Sequence, residues 1–217
     1  MISYQIWFRR NRVRLGEVVE DLKLVNTLAK DALQEFQQAN LAPLKSSPAQ
    51  SIPKWVPPPS GWVKANFDGA IFQDRDAAGL GIIIRNDYGL VMAALTQIIP
   101  LPTSVETVEV LAARRAVIFA FELGFDQVIL EGDSAIAIQA LNSDDFSAAP
   151  FGHIISDVKS FSPYFRSLIF CHTRRLGNKV AHRLAREACN FSFPFCTWIE
   201  EVPVSSYAEY SAEIVNT

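Results

Sequence analysis

Residues 43–60, PLKSSPAQSIPKWVPPPS, hold six prolines, and because proline fixes φ and lacks a backbone donor, neither a helix nor a central strand can run through them. They separate two stretches of different hydrophobic period. Before them Val18, Val19, Leu22, Leu24, Val25, Leu28, Ala29, Leu33 and Phe36 recur at helical spacing, which predicts one amphipathic helix over 13–38. After Gly61 the apolar residues alternate or gather in short runs, as strands require. The expected organisation is a helical extension over 1–42, a linker over 43–60, a folded domain over 61–192, and an aromatic then acidic tail over 193–217 with no assigned structure.

Within the domain, 62–73, 79–86 and 90–99 read as strands, and the intervening DRDAAG and NDYG carry the Asp, Asn and Gly that hairpin turns need. Thr103 with Glu106 forms a capping-box pattern, and an Ala- and Leu-rich stretch then runs to Leu123 and stops at Gly124, so a helix is expected there. DQVILE at 126–131 reads as a strand, 134–141 and 151–161 as helices, 166–172 as a strand and 177–191 as a helix. This order predicts an α/β domain built on a mixed five-stranded sheet, three antiparallel strands followed by parallel ones, flanked by helices.

The formal charge of −3 conceals a polarised chain. Arg166, Arg174, Arg175, Lys179, Arg183 and Arg186 lie within 166–186 with no acidic residue among them, whereas 200–217 holds four glutamates and no base. Arg9, Arg10, Arg12 and Arg14 form a second basic cluster, read first as a solvated helix face. The three cysteines are too few and too irregularly spaced for a disulfide framework or a zinc site. No run approaches the ~18 apolar residues that span a bilayer, so an intracellular protein of nucleus or cytoplasm is expected.

Three carboxylates stand where a structural sequence avoids charge. Asp68 in NFDGA is central to a strand and precedes Gly69, whose missing side chain lets a backbone or ligand approach. Glu109 shares a helix stripe with Val105, Ala112 and Ala116 and so points toward the sheet. Asp133 in EGDS follows an apolar strand at the carboxyl end where open α/β sheets place ligands. Each has a plain structural alternative: a strand-end turn residue, a salt-bridged helix residue, or a cap for the helix starting at Ser134. Brought together, they would repel one another unless hard cations lay between them, and two magnesium ions in such a cage serve in-line displacement at a phosphodiester.

The motifs NFDGA, ETVEVLAARRAV, LEGDS and HTRRLGNKVAHRLA, in this order over about 130 residues, resemble type 1 ribonuclease H domains. The reverse-transcriptase-associated group of plants and non-LTR retroelements is the nearest flavour, and the preceding IWFRRN and WVPPPSGWVKANFDGA are similar to it too. The resemblance implies a ribonuclease H-like fold, and endonucleolytic cleavage of the RNA strand of RNA–DNA hybrids by two Mg2+ ions, with Mn2+ as a substitute. It puts the metal ligands at Asp68, Glu109 and Asp133. The family's fourth acidic position falls on His182, a poorer magnesium ligand than a carboxylate but a proton carrier near neutral pH. His172 falls where the family has a loop histidine thought to help product leave. Asn66, Gly69, Ser134, Arg174, Arg175, Asn178, Lys179 and Arg183 are the expected nucleic-acid contacts, with shape and 2′-hydroxyls rather than sequence read. Two rivals stay open: a module that binds nucleic acid with turnover weakened or lost through His182, and a domain that binds a protein partner through the N-terminal helix.

Overall fold

The computed structural model describes residues 55–143 and 149–214; the helix expected over 13–38 lies outside them. The sheet consists of β1 (Val63–Phe72), β2 (Ala77–Arg85), β3 (Val91–Pro100), β4 (Gln127–Gly132), β5 (Ser167–His172) and β6 (Phe195–Ile199). Their order is β5-β4-β1-β2-β3-β6. β1, β2 and β3 form the expected antiparallel meander, while β4 runs parallel to β1 and β5 parallel to β4. The sheet has six strands rather than five. The sixth comes from the tail, where FCTWI pairs antiparallel with β3 through Gln97↔Phe195 to Ala93↔Ile199, so β3 is not left as a bare edge.

The helices are α1 (Val105–Glu122), α2 (Ala135–Asn142), α3 (Gly152–Ser160), α4 (Lys179–Glu187) and α5 (Tyr207–Ile214). The period-2 alternation of β2 assigns the two faces. Leu80, Ile82 and Ile84 join the core that contains α1 and α3, whereas Ile83 packs with Val180, Ala181 and Leu184 of α4. Glycine sets how closely α4 approaches. A Cβ at Gly81 would lie 2.2 Å from the Ala185 nitrogen and 2.3 Å from the Ala181 oxygen, so the helix backbone rests directly on the strand. The cap of α1 is Ser104 rather than Thr103: its side chain accepts from the Thr107 amide at 3.2 Å.

Both ends of the described chain fold back onto the domain through a buried polar network. Glu213 on α5, 3% exposed, pairs with the fully buried Arg85 at 2.6 Å. Arg85 also donates to the Asn66 Oδ1 at 2.8 Å, and the Trp55 Nε1 donates to the same oxygen at 2.9 Å. Asn66 Nδ2 then donates to Glu131, which is also paired with Lys64 at 3.0 Å. The Trp55 ring lies 3.9 Å from the Arg85 guanidinium carbon, a cation–π contact that keeps a desolvated charge satisfied. Trp55 falls in the stretch read from sequence as linker, yet it is 1% exposed.

Candidate metal centre

Alternation along β1 sends Phe67 into the core beneath α1 and Asp68 to the other face, where it is 3% exposed. Gly69 brings the second carboxylate in. A Cβ there would lie 2.6 Å from the Val108 Cγ1, so the missing side chain lets α1 close on β1, and Glu109, one residue further, accepts a hydrogen bond from the Gly69 amide. Asp133 follows the carboxyl end of β4. It does not cap α2, because Ser134 does so by accepting from the Ala137 amide at 3.3 Å. Asp68, Glu109 and Asp133 each present an oxygen within 4.8 Å of the others.

Burial, with the carboxylates' mutual repulsion added to it, raises two of the three protonation equilibria. Burial, opposed by the His182 hydrogen bond and assisted by Asp133, lifts the Asp68 carboxyl to about 6. Burial first, then repulsion from Asp68 and Asp133, pushes Glu109 up to about 9. The Glu109 Oε2 is buried with no hydrogen-bond partner, a state that costs free energy until a donor or cation meets it. An all-oxygen set of three carboxylates, one of which also has a buried oxygen without a partner, suits a hard divalent cation such as Mg2+ or Mn2+.

His182 is not one of the converging group. Its Nδ1 lies 2.7 Å from the Asp68 Oδ2 and its Nε2 3.2 Å from the Arg175 Nη2. His172 is exposed, and its Nε2 donates to the Asp133 carbonyl oxygen at 3.2 Å. Asn66 and Asn178, expected from sequence to touch nucleic acid, are both fully buried. Asn66 belongs to the network above, and Asn178 donates to the Phe67 carbonyl at 2.9 Å, so both hold the strand that carries Asp68. Gly69 and Ser134 have the packing and capping roles just described. Arg174, Arg175 and Lys179 are exposed beside the site. Arg183 is exposed as well but engaged, 2.6 Å from Glu187 and donating to the Ser205 carbonyl. A groove of about 380 Å³ runs alongside, lined by Arg175, Lys179, His182, Arg183, Arg186 and Glu209.

Glu213 is a residue the sequence reading missed. Its Oε1 accepts from the Lys179 amide at 3.2 Å, so a tail carboxylate caps the helix that carries His182, which has no side-chain cap of its own. The only signal for it in the sequence is the helical spacing of YAEYSAEI.

A mixed sheet with helices on both faces and carboxylates meeting at a central strand defines an α/β domain of the ribonuclease H-like class. The family model described as reverse transcriptase-like matches residues 66–188, and the chain belongs to that family. Its solved structural neighbours include the RNase H1 of the halophilic archaeon Halobacterium salinarum NRC-1, with 24% identity, a TM-score of 0.53, and coverage of 59% of this chain and 98% of that one. The N-terminal RNase H domain of rv2228c from Mycobacterium tuberculosis, solved as a fusion with maltose binding protein, gives 20% identity, a TM-score of 0.54, and coverage of 59% and 94%. A compost-derived RNase H1 solved in complex with an RNA/DNA hybrid gives 19% identity, a TM-score of 0.53, and coverage of 59% and 96%. No curated protein matches the chain. Among the described residues no helix is long and apolar enough to cross a membrane.

Proposed function

We propose that this chain hydrolyses the RNA strand of RNA–DNA hybrids endonucleolytically, in a divalent-cation-dependent reaction centred on Asp68, Glu109 and Asp133. The observation that carries the proposal is the meeting of three carboxylates from β1, α1 and the end of β4, one with a buried and unpartnered oxygen. Magnesium is the ion this set suits best, with manganese as substitute. When bound at such a site, divalent ions activate a water nucleophile and stabilise the departing oxygen. Arg174, Arg175 and Lys179 would meet phosphates, giving affinity without sequence preference. We assign to His172 the part of helping product leave, a role supported by its exposure and its tether to the Asp133 carbonyl.

A second reading has a specific observation in its favour. The fourth position is His182, already hydrogen-bonded to Asp68, which is consistent with a ribonuclease H-like module that binds nucleic acid and turns over poorly. We also attribute a plant-type retroelement ancestry to the chain, on the IWFRRN and WVPPPSGWVKANFDGA segments. Incubating the full chain with a labelled hybrid in magnesium and then manganese separates the readings. The proposal expects RNA cleavage that Asp68→Asn abolishes; hybrid binding without cleavage in either metal would replace it by the second reading.

A further inference from the structure

We propose that a cavity at the β2–β3 turn takes an arginine-bearing basic segment of a protein partner. The cavity holds about 620 Å³ between that turn, the end of β6 and α5, a size that accommodates a large side chain and its neighbours. The strand register separates it from the carboxylate site. Val91, in its wall, pairs with Arg85, whereas Asp68 pairs with Gly81 further along β2, so the proposal stands apart from the divalent-cation reading.

Charge selects the occupant. Glu200 and Glu201 stand exposed in the lining, which contains no Lys, Arg or His, and among the described residues neither carboxylate has a hydrogen-bond or ion-pair partner. Arg85, whose charge reaches Tyr210, does not compensate them, because it is fully buried and already paired with Glu213. Two unbalanced negative charges at a concave surface repel a phosphate backbone and attract a cation. The turn that carries them is held in place before any partner arrives: Glu200 sits at φ +57°, and its amide donates to the Met92 carbonyl at 3.0 Å.

The walls favour a planar cation on an apolar stem. Tyr207 and Tyr210 follow each other along α5 with ring centroids 6.4 Å apart and planes tilted by 54°, and the Tyr210 hydroxyl donates to the Gly89 carbonyl at 3.2 Å, which fixes that ring. A guanidinium stacks on such rings and forks onto carboxylates, while the methylenes behind it can lie along Leu90, Met92 and Val202. A free small cation would leave this surface largely bare, since Leu90 is 58% and Tyr207 61% exposed. Exposed tyrosine around a concave pocket is a common anchor point of protein interfaces.

The test measures peptide binding. Fluorescence anisotropy of a short labelled peptide alternating arginine and glycine, titrated with the full chain, is expected to show saturable binding. Glu200→Gln combined with Glu201→Gln should weaken it about tenfold. Tyr207→Ala should weaken it about fivefold, and Tyr207→Phe, which keeps the ring, should not. Asp74→Asn, an exposed carboxylate in the β1–β2 turn at the other end of β2, should leave affinity unchanged. The substituted side chains are all exposed, and equal thermal midpoints check that the variants fold alike. Absence of saturable binding, or equal affinity across all these proteins, would overturn the proposal. Argininamide alone binding as tightly as the peptide would overturn it too, by making the occupant a small cation rather than a protein segment.

Discussion

Replacing Glu109 by glutamine preserves its shape and removes its charge, and in the metal-free protein that change should stabilise the fold increasingly as pH rises. The Glu109 carboxyl sits at about 9 in the folded protein against an ordinary value of 4.5. Between those values the folded state keeps a proton that the unfolded state has released, so the free energy of unfolding falls as pH rises. Each unit is worth ~1.4 kcal/mol. The loss at pH 5.5 is therefore about 1 kcal/mol, and at pH 7 on the order of 3 kcal/mol, or roughly 6–12 °C in Tm for a domain of this size. Glu213 is also raised by burial and titrates in the same sense, so the informative quantity is the difference between Glu109→Gln and wild type. Urea unfolding in a chelator at pH 5.5, 7 and 8.5 measures it. A difference that does not grow across that series would refute the reasoning. Saturating Mg2+ should stabilise the wild type most at the highest pH and the variant far less.

The Arg85–Glu213 pair should be costly to break from one side. Glu213→Ala leaves a guanidinium with no exposure and no carboxylate, a loss of about 3–5 kcal/mol, whereas Arg85→Met with Glu213→Leu should recover most of it; a single-variant loss below about 1 kcal/mol in chemical denaturation would mean the charge escapes to water. Gly81→Ala forces a Cβ to 2.2 Å from the backbone of α4 and should cost about 1–3 kcal/mol or more. Gly124→Ala, at φ +76° with nothing within 4 Å, should cost only the ~1 kcal/mol of a left-handed residue, and equal losses at the two sites would sink the packing argument.

Local periodicity determined a great deal. The first five strands and the helices between them could be drawn from alternation, apolar runs and turn residues, because each of those signals depends only on neighbours a few residues away. Asp68, Glu109 and Asp133 stood out for the same reason, as charges set into otherwise apolar patterns. Side-chain surroundings were decided by tertiary structure alone. FCTWI becomes a strand because β3 has an open edge to pair with, although 93–97 and 195–199 are far apart in the chain. Asn66 and Asn178 look like polar residues near a site, yet buried donors and acceptors on other elements claim them. Nothing near His182 in the sequence names its partner, and only the fold brings its Nδ1 opposite Asp68, 114 residues away. Glu213 reads as one more tail glutamate until α5 carries it to Arg85, across a separation of 128 residues. Hydrogen bonding and desolvation act over a few ångströms of space, so only the assembled sheet and helices could decide which of these polar groups face water, which face each other, and which remain open to a cation.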